Sequence, residues 1–166
     1  MTDSPELTTR DLAEQLAGKS SGKDFASALR QVQHWTELDH LGTLGAKNTG
    51  TGRSRLYGKN ELFKAIILRE LVRIGVRVAE LEGFGDFLNG AIRLNAKVWQ
   101  QVTEGTGEAF LLAYFGPDGA TGWTIEGEQP SLKLLVKPQS GKTAMSKGFT
   151  STVVLNLKRL FEGYQI

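Results

Sequence analysis

Between Asn60 and Gly75 apolar side chains recur at Leu62, Phe63, Ile66, Ile67, Leu71 and Ile74. These steps of three and four residues lay them along one broad face of a helix, with Asn60 placed to cap its start and Gly75 to end it. A face that wide is stable only when other elements cover it, so the segments on either side must supply them.

Two helices are expected upstream. Leu7 through Ala17 reads as the first: Thr8 or Thr9 can cap it, Leu12, Ala13 and Leu16 give it a buried side, and Gly18 stops it. After the small-residue turn GKSSGKD, a second runs from Asp24 to about Leu38. Phe25, Ala28, Leu29, Val32 and Trp35 mark one side of it, while Arg30, Gln31, Gln33 and His34 lie on or near the other. Two short helices joined by a tight Ser/Gly linker suit a helix-turn-helix arrangement. The next stretch, HLGTLGAKNTGTGRSRLYG, has no helical stripe and is punctuated by glycine. Leu41 and Leu44 on one side, with Leu56 and Tyr57 on the other, are placed as the arms of a hairpin whose tip, AKNTGTGRS, is basic and almost free of apolar side chains. That pattern is expected of a wing.

Downstream of Gly75 a short helix is expected at Val78 to Leu81. A longer one follows over about 86–103, on the spacing of Phe87, Leu88, Ala91, Ile92, Asn95, Val98, Trp99 and Val102. A helix of that length suits pairing with its counterpart in a second subunit. The last third changes character. AFLLAYF and TGWTI read as strands around a turn at Pro117 to Gly119, and Leu132 to Val136 as a third strand. Thr152 to Leu157 alternates as a strand does, whereas LKRLFEGY reads as a helix. The fold class expected is therefore α+β: residues 1–84 as a winged helix-turn-helix domain, 85–104 as a linking or dimerisation helix, and 105–166 as a β-rich C-terminal domain.

Charge sharpens the functional reading. The net charge of +2 says little by itself, but residues 19–59 carry seven basic groups against three acidic ones, while 60–104 balance at six and six. There is no cysteine, which removes disulfides, thiolate metal sites and thiol nucleophiles together. His34 and His40 stand six apart with no carboxylate pair to complete a metal site. SGKT at Ser140 to Thr143 fails the phosphate-loop motif because Val136 occupies the place of its first glycine. No nucleophile elbow or paired-acid spacing occurs, so an enzyme is not expected, nor is a cofactor. The first residues lack a basic stretch followed by an apolar one, and no run of 18 apolar residues occurs, so a cytoplasmic protein without a membrane partner is the default expectation.

The segment GRSRLYGKNELFKAIILRELVRIGVRVAEL, preceded by LTTRDLAEQLAG and ALRQVQHWTELDHL, resembles the winged helix-turn-helix DNA-binding domain of the MerR group over about residues 6–83. Arg55 and Tyr57 match its basic–aromatic wing ending, Asn60–Leu62 the start of its third helix, and Ile74–Val76 its hydrophobic–glycine–hydrophobic turn. The resemblance implies a homodimeric regulator of transcription, bacterial or phage, that binds double-stranded DNA in a sequence-specific manner. Lys23, Arg30, Gln31 and His34 would enter the major groove, and Lys47, Arg53 and Arg55 would reach a flanking groove or the backbone. Arg and Gln side chains can meet base edges at two points, while wing cations neutralise phosphates. The alternatives are a protein-interaction adaptor and an architectural DNA-binding protein. The aromatics Phe110, Tyr114, Phe115 and Trp123 mark where an effector, or a protein partner of the C-terminal region, would be sought.

Overall fold

The computed structural model describes residues 6–18, 22–47, 54–116, 119–127 and 151–164. The third strand expected at Leu132 to Val136, the SGKT segment and the centre of the wing tip lie outside them. Among the described residues, helices and two small antiparallel sheets make up a mixed α+β fold. The chain divides into two compact units, one running to Leu88 and taking in Tyr164, the other running from Asn89 to Gly163. The division falls inside the helix Phe84–Leu94.

The first unit opens with β1 (Leu7–Thr8) and α1 (Thr9–Ala17). Thr8 caps α1: its hydroxyl accepts from Asp11 N–H at 3.2 Å, and Asp11 returns a carboxylate oxygen to Thr8 N–H at 2.8 Å. These bonds to Thr8 hold the Asp11 carboxyl below its ordinary pKa. The Arg69 guanidinium donates to Leu16 O at the other end of α1 and satisfies a carbonyl the helix leaves open. Next come α2 (Gly22–Glu37), β2 (Leu56–Tyr57), α3 (Lys59–Arg73), a single 3-10 turn (Val78–Leu81) and α4 (Phe84–Leu94). Leu12, Leu16, Val32, Trp35, Phe63, Ile66, Ile67 and Leu71 are all buried, so α3 is covered along the face its periodicity marks out.

Four expectations change. Strand β2 pairs with β1, Leu7 opposite Tyr57 and Thr8 opposite Leu56, and not with an arm at Leu41–Leu44. A main-chain bond joins that arm to β2, from Leu44 N–H to Leu56 O at 2.7 Å. Asn60 does not cap α3; Gly58 precedes the helix in extended conformation, with no side-chain cap. Ile74 falls beyond the last turn of α3 and is 43% exposed, as Gly75 adopts a φ of 98° and turns the chain away. The helix expected over 86–103 is two helices, α4 and α5 (Ala96–Thr103), broken at Asn95. There the backbone leaves the helical region at ψ 38° and the side-chain amide bonds back to Ala91 O at 3.2 Å. Asparagine offers the backbone such a local alternative to helix, and the break follows from it.

The second unit contains α5 and a three-stranded antiparallel sheet of β3 (Phe110–Gly116), β4 (Gly119–Glu126) and β5 (Ser151–Asn156), with β3 central in the order β4-β3-β5. Both readings of the C-terminal stretch hold in succession: β5 gives way at Asn156, whose side chain accepts from Arg159 N–H at 3.0 Å and caps α6 (Leu157–Glu162). Trp99 of α5 meets Phe161 of α6 edge to face, ring centroids 6.0 Å apart, and both are buried.

Candidate nucleic-acid interface

Helix α2 has two unlike sides. Ala28, Val32, Trp35 and Thr36 are buried. Thr36 Oγ1 donates to Val32 O at 2.8 Å and shares a 2.9 Å hydrogen bond with the Tyr57 hydroxyl, which ties α2 to β2 through a buried polar pair. The opposite side carries Lys23, Ser27, Arg30 and His34, all exposed and separated by steps of four, three and four residues. Such steps keep side chains on one stripe. Ala26 and Gln33 are exposed beside it. Three expected residues, Lys23, Arg30 and His34, therefore stand on a single ridge. Gln31 does not: it lies off the stripe, toward the buried side, and is half-buried. Ser27, which the sequence reading leaves out, completes the stripe at the interval from Lys23 to Arg30, and Gln33 flanks it on the side the sequence assigns.

The end of α2 is held by a compact set of bonds. Asp39 sits at φ 61°, the left-handed region, where a short polar side chain is tolerated. His40 N–H then bonds Trp35 O at 2.9 Å and Asp39 N–H bonds Thr36 O at 3.2 Å, so the helix's last carbonyls are satisfied. Lys47 completes the end: its ammonium donates to Glu37 O at 3.0 Å and to Asp39 Oδ1 at 2.7 Å, a cation at the negative end of the helix dipole. Arg55 Nε donates in turn to Lys47 O at 2.8 Å. Of the three cations expected on a wing, Lys47 and Arg55 are thus engaged within the chain, and Arg53 lies outside the described residues.

Glu61 anchors the same loop from α3. One carboxylate oxygen accepts from Gly42 N–H at 2.8 Å and the other from Lys64 at 2.5 Å. The Lys64 side chain is only 1% exposed, so this is a buried ion pair at i, i+3. His40 is also buried, its Nε2 without a hydrogen-bond partner among the described residues. Burial, and after it the neighbouring His34, hold the His40 imidazole below its ordinary pKa, against a smaller opposing pull from Asp39. Gly85, at the start of α4, lies against this turn; a Cβ there would come within 2.5 Å of Asp39 O.

Among the described residues no three metal-ligating side chains converge, and none of the helices is long and apolar enough to cross a membrane. In the second unit, Phe110 and Tyr114 alternate with Phe115 along β3 and so fall on opposite faces from it, while Trp123 stands opposite Ala113 in the strand register. Phe110 and Tyr114 therefore do not share a face of β3 with Phe115. No protein-family model matches the chain, and no curated protein matches it.

Proposed function

We propose that this chain binds double-stranded DNA by laying the exposed side of α2 in the major groove, as a winged helix-turn-helix protein of MerR-like kind, and that it acts as a homodimeric transcriptional regulator. The observation that supports this reading best is the ridge of Lys23, Ser27, Arg30 and His34 on a helix whose other side is fixed by Trp35 and by the Thr36–Tyr57 bond. A reading element has to be rigid behind and polar in front, because a base contact is lost when its donor moves by an ångström. The order β1-α1-α2-β2-α3 and the basic excess over residues 19–59 agree with it.

In this reading Arg30 is the base-reading residue, suited to the two acceptors of a guanine edge, and Lys23 and His34 contact backbone phosphates at the two ends of the ridge. Small residues at Ala26 and Ser27 let the helix approach the groove floor. The test is a titration of the protein against a random duplex and a pool of genomic fragments at two salt concentrations. Salt-steep binding with enrichment of a palindromic site supports the proposal, whereas no binding to any duplex at low salt overturns it.

A protein-binding adaptor is the second reading, and the engagement of Lys47 and Arg55 in local bonds is what favours it. Partner binding that persists from 50 to 200 mM salt, without duplex binding, would mark that case.

A further inference from the structure

Two cationic positions meet at the C-terminal end of α2. His34 lies in the last turn, where its carbonyl accepts from Leu38 N–H at 3.0 Å, and the Lys47 ammonium donates to the Glu37 carbonyl at 3.0 Å. Lys47 does not stand there as a bare charge. Asp39 Oδ1 takes its ammonium at 2.7 Å, and Arg55 Nε pins its main chain through Lys47 O at 2.8 Å.

The carboxylate is the outer member of the pair: the Asp39 side chain is 82% exposed and that of Lys47 35%. An anion approaching this end of α2 meets both groups at once, and their charges cancel. The turn itself does not call for a carboxylate. Asparagine is tolerated as aspartate is at a φ of 61°, and the bonds that close α2 run from the main-chain N–H groups of Asp39 and His40. Glu37 offers a comparison at the same helix end. It too is exposed, but its carboxylate belongs to no ion pair among the described residues, and Lys47 takes only its main-chain oxygen.

We propose that Asp39 withholds Lys47 from DNA, standing in the place a backbone phosphate would take on its ammonium. The inference deepens the DNA reading of α2 and rests on it: a backbone that His34 reaches also passes Lys47. A cation already balanced by a carboxylate releases no counterion from the duplex, whereas a bare one adds about 0.9 to the slope of log affinity against log salt. Asp39 thereby limits how tightly the chain holds any duplex and leaves the choice of sequence to Arg30.

Anisotropy titrations of the full chain against a preferred and a random duplex, from 50 to 200 mM salt, test it. Asp39→Asn should tighten binding to both alike, about tenfold at 50 mM and about threefold at 200 mM, with a salt slope steeper by about 0.9. Lys47→Ala alone should leave the slope unchanged, and in the Asp39→Asn background it should remove the gain. Glu37→Gln takes the same charge from the same helix end without baring a cation, and should change affinity about twofold or less. Thermal melts check that each variant folds. An Asp39→Asn chain with unchanged slope overturns the proposal, as does an equal gain from Glu37→Gln or a gain confined to the preferred duplex. So does a Lys47→Ala chain whose slope falls as far as Asp39→Asn raises it, because Lys47 then already touches DNA. In those cases, if Arg30→Ala still weakens binding to the preferred duplex, the reading of the α2 ridge stands. Absence of duplex binding by both the original and the Asp39→Asn chain at 50 mM salt overturns the two together.

Discussion

Helix α2 and the loop that follows it carry basic residues in similar number, yet they use them differently. On α2 the cations Lys23 and Arg30 project from a rigid helix with exposed side chains. In the loop Lys47 closes the end of α2 and Arg55 holds Lys47 in place. A count of charge over residues 19–59 treats the two alike. Geometry separates them: the helix presents its charge outward, whereas the loop uses part of its charge to position that helix.

The largest effect expected from disturbing this arrangement comes from behind the loop. Glu61→Ala removes the partner of Lys64 and leaves a buried ammonium unpaired, at a cost of about 3–5 kcal/mol, while Glu61→Gln with Lys64→Met should recover much of it. Urea melts of the three proteins measure both. Should Glu61→Ala prove neutral, the loop is not anchored there and the contrast with α2 weakens.

On the helix itself, Arg30→Ala should cost about 1–3 kcal/mol of binding to a preferred duplex and much less on random duplex, since a base contact carries sequence information. Lys23→Ala should weaken both duplexes alike and reduce the dependence on salt. Competition titrations read the two outcomes.

A pH-confined effect follows from His40. Its pKa is held below the ordinary value, near 6.5, in the folded chain, because burial disfavours the imidazolium. Between the folded and unfolded values the unfolded chain binds more protons, so stability is fully present above the ordinary value and falls as pH drops through the window beneath it. His40→Gln should flatten that slope in urea melts between about pH 5 and 8.

The smallest effect is predicted for Lys47→Ala. The pair with Asp39 is solvent-exposed on the carboxylate side, so its loss should cost about 1 kcal/mol or less in a thermal melt. Loss of duplex affinity from Lys47→Ala as large as that from Arg30→Ala would place the loop in the interface and erase the distinction drawn above.

Where periodicity runs long, the elements were legible in the chain: α1 with its Thr8 cap, α2, α3, the 3-10 turn at Val78–Leu81 and the strands β3 and β4 lie where the pattern puts them. What failed to show has specific causes. Strands of two residues have too little alternation to be read, and the pairing of Leu7 with Tyr57 joins segments that no local signal connects. The break at Asn95 depends on one side chain bonding back to Ala91 O, which the apolar spacing on either side conceals. Lys64 stands outside the apolar stripe of α3, and its burial is intelligible only once Glu61 is seen to satisfy it. The exposed side of α2 is legible in Arg30 and His34, whereas Lys23 joins their ridge only because the helix starts at Gly22 and not at Asp24, and Gln31 is not separable from Gln33 without the direction in which the helix packs.

The most direct test of the central claim is fluorescence anisotropy of a labelled duplex, at 50 and 200 mM salt, with the original chain and with the triple variant Lys23→Ala, Arg30→Ala and His34→Ala. Binding that is tight and salt-steep in the original, and lost in a triple variant with an unchanged thermal melt, is the result predicted. Equal binding by the two proteins, or none by either at 50 mM salt, would contradict the assignment of the α2 ridge to DNA.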